Sequence, residues 1–445
     1  MNQKKLKTIF IISGLVDIQI AGNQAITNTI RYFAKGRFKV CVFSSLPKNY
    51  FNLANPEKTF GKLEKNIKFY RLPVICEGFF NFTRFLKNSF RKNRKSKSFQ
   101  YSSVGKSFDY FVDFKILAQF IYFLSWLLYI LFELPRVFFA VLKERPNLFY
   151  GYEIYGAPVA SILSVIFKKP VITRFQGTAL NVKKKSQWKY FLHHVLGLKS
   201  RANAIIMCND GTRGDEVLKE LDIPEHKINF WMDGLPQDIA NFYIDKEKIE
   251  QIREKTGLNN KKIVLSVNKL KVWKRIDRII YILYKLVNDY GTNNIVLLIV
   301  GDGPEKDNLK KLASNYKVES FIRWMGPVPH CEIGKYYSVA NCYLITNDVS
   351  NLGNPLQEAL YFGCPIVSLK DGSTDELLQD GYNSLLVPLN KIEEDLPKAV
   401  YKILTDKDLA GKLSENARIT AKEKILSWEE RMKKEIDLIN ILIKK

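Results

Sequence analysis

Short apolar segments of strand length alternate with longer helical stretches along this chain, and this alternation constrains the fold more than any other feature. In the first half the apolar segments cover residues 8–12, 39–43, 148–151, 171–175 and 204–207. Strands that are joined through helices pair in parallel, because the helix returns the chain to the same end of the sheet. The first half therefore predicts a parallel sheet with helices packed on it.

The same alternation restarts after a polar, charge-rich stretch at residues 244–262. The later apolar segments cover residues 263–267, 295–300, 321–324, 342–345, 365–369 and 385–387. A chain of 445 residues is also too long for one core and suits two domains. We predict an α/β protein with two Rossmann-like, doubly wound lobes.

The charge balance is strongly basic. The chain has 69 Lys and Arg against 45 Asp and Glu, a formal net charge of +24, so its surface attracts anions such as phosphates and acidic lipids. No recognised nucleic-acid motif accompanies the charge, and we expect no nucleic-acid partner. The six cysteines form no CxxC pair and the four histidines are dispersed, which predicts no metal site and a reducing, cytoplasmic setting.

Two segments interrupt the first lobe. Residues Arg84 to Lys97 include seven basic residues and no acidic one, next to the aromatic residues Phe79, Phe80 and Phe82. This stretch is either a basic amphipathic element at a membrane surface or a solvated loop. Residues Ile116 to Phe132 are almost wholly apolar, and we expect a helix that is buried or lies in the membrane interface rather than one that crosses it.

Basic residues follow the first strand of the second lobe. The sequence VNKL at 267–270 ends that strand, and Lys274 precedes a helix that begins near Ile276. Lys269 and Lys274 can converge on a diphosphate at such a strand-to-helix turn, where the helix N-terminus also favours negative charge. Two solvated lysines of a basic protein are the alternative.

A glycine turn follows the next strand, in the sequence IVGDGP at 299–304. Gly301 and Gly303 permit a sharp turn and a close backbone approach, and Pro304 suits a first helical turn. The motif lacks the third glycine of a dinucleotide fingerprint. It is therefore either a structural turn or one wall of a ligand site.

A third cluster reads SNLGNPLQEA at 350–359 and continues with GCPIV at 363–367. The loop enters a helix at Pro355 and presents backbone amides at the helix start. Glu358 lies about one turn after the start of this helix, and its carboxylate can accept hydrogen bonds from both hydroxyls of a ribose. This arrangement can hold a sugar and its diphosphate.

In order and spacing, the three clusters resemble the C-terminal lobe of family 4 glycosyltransferases. The family patterns are G-R-L-x-x-x-K-G, G-x-G-P and E-G-F-G-L-P-x-L-E-A followed by G-x-P-V, and the likeness continues to Pro388. The resemblance implies a GT-B fold, in which two lobes face a cleft and a C-terminal helix crosses back to the first lobe. It implies an acceptor-side lobe at 1–245 with a membrane-facing insertion at about 79–135, a donor lobe at 246–425 and a final helix at 426–445.

The resemblance also implies roles for individual residues. The two basic positions that hold the donor diphosphate fall on Lys269 and Lys274, and the ribose-binding glutamate falls on Glu358. Lysine at 269 replaces the usual arginine, which keeps the charge and loses the bidentate geometry. The glutamate that usually contacts the donor sugar falls on Ser350. The remaining predicted donor-binding residues are Gly22, Gly301, Gly303, Asn351, Leu352, Gly353 and Asn354.

Departures from the family continue in the first lobe. Where the family has a histidine and a glycine after the strand at 171–175, this chain has Gln176 and Gly177, and we expect them to orient the acceptor or the sugar. Glutamine donates and accepts hydrogen bonds and does not titrate. Gly22 lies where the family has a glycine-rich turn near the diphosphate.

The function that the resemblance implies is retaining, metal-independent transfer from a nucleotide-diphosphate sugar with no further cofactor, and we expect a UDP-sugar as the donor. We expect a glycan or lipid-linked acceptor in cell-surface polysaccharide synthesis, and peripheral association with the inner face of the cell membrane through its anionic lipids. The alternative is a catalytically inactive GT-B homologue that serves as a scaffolding partner of another glycosyltransferase, because Gln176 and Ser350 both depart from the pattern.

Overall fold

The computed structural model describes residues 6–14, 24–44, 60–71, 116–236, 239, 246–255 and 257–444. Within them the chain forms two compact units. The first unit contains the described residues up to Asp233 and those from Glu429 onward, and the second contains Gly234–Trp428. The predicted glycine turn at Gly22 and the basic run from Arg84 to Lys97, with its neighbouring phenylalanines, lie outside the described residues.

The first unit is built on a parallel sheet. Its described strands are β1 (Lys7–Ser13), β2 (Phe38–Ser44), β3 (Ile67–Arg71), β4 (Leu148–Tyr152), β5 (Val171–Phe175), β6 (Ala204–Cys208) and β7 (Ile228–Trp231). They lie in the order β3-β2-β1-β4-β5-β6-β7. Because β2 pairs with one side of β1 and β4 with the other, the strand order reverses between β1 and β4. In open α/β sheets, ligands bind beyond the carboxyl ends of the strands at such a point.

The helices of this unit up to Asp233 are α1 (Gln24–Lys35), α2 (Ile116–Glu144), α3 (Glu153–Ile166), α4 (Leu192–Leu198) and α5 (Gly214–Glu220). Short 3-10 segments cover Gly61–Asn66, Val182–Tyr190 and Glu225–Lys227. A core of α2, α3 and strand side chains includes Phe10, Phe43, Val137, Phe149 and Leu163. The helices α2 and α3 therefore pack on one face of the sheet.

Helix α2 is longer than the apolar stretch that ends at Phe132, because it continues through Glu133 and Pro135 to Glu144. The Glu133 carboxylate is fully buried and accepts a hydrogen bond from Arg136 one turn later. At the helix end, Glu144 binds Lys39 (2.6 Å), Lys68 (2.7 Å) and Tyr70 (2.8 Å) on β2 and β3. Burial opposes ionisation there, but these hydrogen bonds lower the pKa of Glu144 to about 2.

The second unit has its own parallel sheet. The described strands are β8 (Lys262–Val267), β9 (Ile295–Val300), β10 (Ile322–Gly326), β11 (Cys342–Leu344), β12 (Ile366–Lys370) and β13 (Ser384–Pro388). They lie in the order β10-β9-β8-β11-β12-β13, so the order reverses between β8 and β11. The predicted α/β class with two doubly wound parallel sheets is confirmed.

Helices cover this second sheet. They are α6 (Lys246–Lys255), α7 (Ile276–Asn288), α8 (Lys306–Asn315), α9 (Ile333–Val339), α10 (Asn354–Tyr361), α11 (Ile392–Thr405) and α12 (Lys407–Lys424). Short 3-10 segments cover Val272–Lys274, Glu319–Phe321, His330–Glu332 and Leu389–Lys391. The largest core cluster joins α7, α8 and α11 to the strands and is made almost entirely of Ile, Leu and Val. Removing this surface from water is the main source of stability for the unit.

A final helix, α13 (Trp428–Lys444), contributes to the first unit through a buried polar network. Its Glu435 is fully buried and accepts hydrogen bonds from Tyr150 on β4, from Arg174 on β5 (3.2 Å) and from Arg431 one turn earlier (3.0 Å). Arg174 also binds Asp233 at 2.9 Å. Paired charges of this kind fix a helix in one register, since a buried charge without its partner is costly.

Candidate functional site

The predicted diphosphate and ribose residues of the second unit follow strands that meet where the strand order reverses. Lys269 and Lys274 lie in the segment between β8 and α7, and Ser350 to Asn354 lie between β11 and α10. Strands β8 and β11 are neighbours in the sheet, with Val264 opposite Cys342. Their following loops therefore share one carboxyl edge, which is where doubly wound sheets place ligands.

The two lysines remain accessible at this edge. Lys269 is exposed and Lys274 is half-buried. The Nζ atom of Lys274 lies 4.2 Å from the centre of the Trp273 ring, and that of Lys271 lies 5.8 Å from it. An ammonium group over an indole face is held by the negative potential of the ring. Trp273 therefore holds the ammonium group of Lys274 in place on the loop that is predicted to bind a diphosphate.

The glycine turn after β9 packs directly against the backbone that carries Lys269. A Cβ atom on Gly301, whose φ is +127°, would lie 2.0 Å from the Asn268 carbonyl oxygen, and one on Gly303 would lie 2.3 Å from that of Leu270. The Leu270 N–H donates to the Asp302 carbonyl at 3.0 Å. These glycines are thus required by the neighbouring loop, whether or not a ligand is bound.

A cluster of buried ion pairs, which no sequence pattern indicates, lies at the same edge. Arg275 stands immediately before α7 with φ of +48° and binds Asp277 at 3.0 Å and Asp348 at 3.3 Å. Arg278 binds the same Asp348 at 2.8 Å and the Thr346 carbonyl at 2.8 Å. The side chains of Arg275, Arg278 and Asp348 are 7%, 1% and 3% exposed, so these are charge pairs held away from water.

This cluster ties the loop after β8 to the loop after β11. The Asp348 N–H donates to the Trp273 carbonyl at 2.9 Å, and the Thr346 hydroxyl contacts the Arg275 carbonyl at 3.3 Å. Together with the shared carboxylate of Asp348, these bonds fix the lysine-bearing loop relative to the segment that leads to Ser350. No feature of spacing or composition marks Asp348, because its partners are 70 residues or more away in sequence.

The loop from Ser350 to Asn354 divides into buried and half-buried parts. Ser350 adopts φ of +60° and is half-buried, as are Gly353 and Asn354. Asn351 is fully buried, and its side-chain amide donates to the Asn347 carbonyl (3.0 Å) and to Asp371 (3.2 Å). Leu352 is 1% exposed. The side chains of Asn351 and Leu352 therefore hold the loop in place, while Ser350, Gly353 and Asn354 keep partial access to solvent.

The predicted ribose-binding carboxylate, Glu358, lies on α10 and is held by two side chains that the sequence analysis did not find. His330 Nε2 lies 2.9 Å from its Oε1, and the Tyr337 hydroxyl donates to its Oε2 at 3.0 Å. The same Tyr337 hydroxyl lies 3.1 Å from the Pro355 carbonyl. A carboxylate oxygen can accept two hydrogen bonds, so both oxygens retain an acceptor position. Neither residue follows a pattern that a single sequence reveals.

In the first unit, Gln176 and Gly177 follow β5 and contact acidic residues. The Gln176 N–H donates to the Glu153 carboxylate at 2.8 Å, and a Cβ atom on Gly177, whose φ is +143°, would lie 2.6 Å from Asp210 Oδ2. Asp210 also accepts from the Thr212 N–H and hydroxyl. Gln176 and Gly177 therefore lie next to two acidic side chains, those of Glu153 and Asp210.

Glu153 is the least expected residue of this edge. It begins α3 directly after β4 and adopts φ of +60°, a left-handed conformation that is costly for a residue with a side chain. Its removal from water, opposed by the hydrogen bond from the Gln176 N–H, raises the pKa of the carboxyl to about 7. Strain and a shifted pKa at the carboxyl end of a central strand are typical of functional positions.

Comparison with protein families gives one match. Residues 248–420 match the model of the family described as glycosyl transferases group 1. The matched range contains the loop of Lys269 and Lys274, the glycine turn and α10 with Glu358.

Curated proteins with similar sequences bear related names. An alpha-monoglucosyldiacylglycerol synthase of Acholeplasma laidlawii is 29% identical over 177 residues, which is 40% of this chain and 43% of that protein. An uncharacterized glycosyltransferase of Methanocaldococcus jannaschii is 27% identical over 315 residues, 68% of this chain and 75% of that protein. The match thus spans less than half the length of the first relative and about three quarters of the second.

Solved structures share the fold over nearly the whole chain. HepE of Anabaena, solved in complex with UDP, has a TM-score of 0.68 at 16% identity and covers 97% of this chain and 100% of its own. A glycosyltransferase from Rickettsia africae has a TM-score of 0.65 at 16% identity, with 99% and 100% covered. At this level of identity the likeness establishes the fold alone.

Proposed function

We propose that this chain, whose residues 248–420 match the group 1 glycosyltransferase family, transfers a sugar from a nucleotide-diphosphate sugar to a glycan or lipid-linked acceptor. The proposed donor class is the UDP-sugars, and the proposed role is in the synthesis of a cell-surface polysaccharide or glycolipid. HepE, whose fold the chain shares, was solved with UDP and with UDP-glucose, which makes UDP the first nucleotide to test.

The observation that carries this proposal is that Lys269, Lys274 and Glu358 all follow strands that end at one edge of the second sheet. Two ammonium groups follow β8 and a buried carboxylate lies on the helix after β11. Cations near a diphosphate offset the negative charge that grows on it as the glycosidic bond breaks. A carboxylate with free acceptor positions binds a vicinal diol. A nucleoside diphosphate presents both groups.

The reaction is proposed to retain the anomeric configuration and to need no metal, with a donor phosphate oxygen taking the proton of the acceptor hydroxyl. In this scheme the lysines stabilise the leaving diphosphate, and Glu358 holds the ribose without taking part in proton transfer. His330 and Tyr337 are positioning residues, because they contact Glu358 through its own oxygens. Activity that survives a metal chelator, and a product with the donor's anomeric configuration by NMR, are the expected results.

The acceptor is proposed to be membrane-anchored, with the protein on the inner face of the cell membrane. The net charge of +24 supports attraction to anionic lipid. The Acholeplasma relative is named as a synthase of a diacylglycerol glycolipid. Residues 119–144 of α2 are long and apolar enough, by length and composition, to cross a membrane.

The test of the donor site is the double variant Lys269→Ala/Lys274→Ala. Loss of two cationic donors should reduce turnover by at least about 100-fold and remove the rise in melting temperature that UDP causes. Release of UDP from a panel of UDP-sugars measures the first effect. The matched control is Lys310→Ala/Lys311→Ala, which removes two exposed lysines from α8 and should leave both readouts unchanged. Turnover that is equal in wild type and in the site variant would overturn the assignment.

The same assay separates an enzyme from an inactive homologue. If UDP raises the melting temperature and no sugar nucleotide or acceptor yields UDP release, the scaffolding role is favoured. If GDP or ADP stabilises the protein and UDP does not, the donor class must be changed while the diphosphate site stands.

A further inference from the structure

We propose that the first unit binds an anionic lipid surface through an apolar face formed by the outer sides of α2, α3 and α4. The physiological role of this surface rests on the proposed function, because an enzyme whose acceptor is anchored in a membrane must reach that membrane. Lipid binding itself can be measured without any sugar transfer.

The outer side of α2 is apolar along most of its length. Of the nine exposed residues between Gln119 and Glu144, eight are apolar and only Lys143 is charged. Phe139 is 69% and Leu131 is 63% exposed. The large apolar side chains of this stripe are Phe120, Leu124, Leu127, Leu131, Phe132, Phe139 and Leu142. From Phe120 to Leu142 the stripe is roughly 33 Å long at the helical rise per residue.

The inner side of α2 is committed to the sheet. Tyr129, Val137 and Val141 are buried in the core beneath it, and Glu144 is bound to β2 and β3. A helix that is packed along one side offers only its opposite side to lipid. The helix therefore has the composition of a membrane span and the packing of an element that lies in the membrane interface.

Helices α3 and α4 extend the apolar face. Helix α3 contacts both α2 and α4. Its outer residues Ile162, Val165 and Ile166 are 40% to 53% exposed. On α4, Leu192 and Leu196 are 43% and 41% exposed. Exposed apolar side chains on three helices that contact one another, in a protein of net positive charge, indicate an interaction site.

The segment of the chain that forms the apolar face is rich in basic residues. Residues 116–201 include twelve Lys and Arg and three acidic residues. Each of the three acids is bound within the unit: Glu133 to Arg136, Glu144 to Lys39, Lys68 and Tyr70, and Glu153 to the Gln176 N–H. Exposed lysines follow or precede the outer helices at Lys168, Lys169, Lys189 and Lys199. The segment that forms the apolar face therefore carries a net positive charge.

The basic residues near the apolar face indicate which partner binds there. In a symmetric dimer through this face, each basic margin would meet its own copy, and like charges would repel. An anionic bilayer offers an apolar interior to the leucines and phenylalanines and negative head groups to the lysines. The chemistry therefore fits a lipid surface better than a second copy of the chain.

The test of the apolar component uses Leu131→Asp and Phe139→Asp on the full chain. Both side chains are exposed, so folding should be retained, and circular dichroism with thermal melting checks this. Sedimentation with vesicles of phosphatidylcholine containing about one third phosphatidylglycerol should show a partition coefficient lowered at least about tenfold by each variant. The matched control is Leu389→Asp, at an apolar residue of the second unit that is 44% exposed, and it should bind vesicles like wild type.

The test of the charge component is Lys168→Glu/Lys169→Glu, with Lys310→Glu/Lys311→Glu as the charge-matched control on the second unit. Each lysine near an anionic surface contributes roughly fivefold to binding, so the first double variant should lose at least about 25-fold and the control should lose much less. Pure phosphatidylcholine vesicles should bind wild type weakly, and salt should weaken binding to the anionic ones.

Several results would overturn the proposal. Failure of wild type to bind anionic vesicles in low salt would do so, as would equal losses in the α2 variants and the Leu389 control. A dimer in solution that Leu131→Asp converts to monomer, with vesicle binding unchanged, would assign the face to a second copy. The melting-temperature response to UDP is recorded for every variant. A protein that binds vesicles and not UDP would refute the proposed donor site while this inference stands.

Discussion

In each sheet the strand order reverses at one point. At that point of the first sheet, β4 is followed by Glu153, and at that point of the second sheet, β8 is followed by the loop that carries the lysines. Both units thus use the same topology, but acidic side chains follow described strands of the first sheet and lysines follow β8 in the second. The first edge carries Glu153, Gln176 and Asp210, and the second carries Lys269 and Lys274. The comparison teaches that a doubly wound sheet supplies a place for a ligand and leaves the kind of ligand to the side chains that follow each strand.

The two units also differ in where their buried ion pairs act. In the second unit, Asp348 joins the loops after β8 and β11, next to the proposed donor residues. In the first, Glu435 joins the C-terminal helix to β4 and β5. We therefore expect the first network to serve stability alone, and the second to serve stability and ligand binding together.

The largest expected effect that tests this difference is that of Asp348→Asn. The substitution removes the carboxylate that Arg275 and Arg278 share inside the protein and should lower the free energy of unfolding by about 3 kcal/mol. Because the loops then lose the ion pairs that help to join them, the affinity for UDP should fall as well. Urea unfolding and titration calorimetry measure the two quantities.

The matched control is Glu435→Gln, which removes the carboxylate shared by Arg174 and Arg431 in the first unit. Its cost in unfolding free energy should be similar, about 3 kcal/mol, while the affinity of the folded protein for UDP should not change. If both variants weaken UDP binding equally, the distinction between the two networks is lost.

Tyr337→Phe should have a smaller effect. It deletes the hydroxyl that donates to Glu358 Oε2 at 3.0 Å and keeps the ring that stacks on Phe362. Loss of one hydrogen bond to a charged group costs about 1.5 kcal/mol, so the dissociation constant for UDP should rise roughly tenfold. Calorimetric titration with UDP measures this change.

Tyr343→Phe is the control for that experiment. Tyr343 packs against Tyr337, and its buried hydroxyl has no hydrogen-bond partner within the part of the chain that the structure describes. Its removal should leave UDP affinity unchanged and the protein at least as stable. An equal loss of affinity in both variants would mean that packing of the aromatic cluster, and not the bond to Glu358, sets the affinity.

The smallest expected effect concerns the acidic edge and depends on pH. Burial raises the pKa of Glu153 to about 7 in the folded protein, above its ordinary value of 4.5, so the folded form binds the extra proton between these values. The stability that this group contributes is present below pH 4.5 and is lost as pH rises through 7. Glu153→Gln keeps an acceptor for the Gln176 N–H. At pH 8 its free energy of unfolding should exceed that of wild type by on the order of 1 kcal/mol, and its melting temperature should be higher.

The difference between wild type and Glu153→Gln should shrink as pH falls to about 5, because the wild-type carboxyl is then neutral. His193 and His194, whose pKa values burial lowers to about 4 and about 3, change the absolute stability in the acid range of both proteins alike. The melting-temperature difference against pH is therefore the informative quantity. A difference that is constant from pH 5 to pH 8 would falsify the raised pKa.

The parallel strands of the two cores were predictable because their segments are short, apolar and separated by helices. The segments 171–175 and 295–300 coincide with β5 and β9, and most others agree within one or two residues. The strands β3 and β7 were missed. Both lie at sheet edges, and their sequences IKFYR and INFW include polar residues because an edge strand is only partly covered.

The candidate site was predictable where its residues follow strands in a recognisable order, as Lys269, Lys274 and Glu358 do. It was not predictable where a role depends on a partner that is distant in sequence. His330 and Tyr337 have a role only because they contact Glu358 on α10, which lies 28 and 21 residues later in the sequence. Glu153 gains its raised pKa from burial that only the packed sheet creates.

The close fit of Gly301 and Gly303 against Asn268 and Leu270 limits how this protein can diversify. Any side chain at either glycine would displace the backbone that positions Lys269, so random libraries at 301 and 303 should return almost only the parental residue. Under the proposed function, new sugar preferences would arise at positions without such close contacts, such as the half-buried Ser350. One part of the proposed donor edge is thus closed to evolutionary search, and the other is where sugar preference can change.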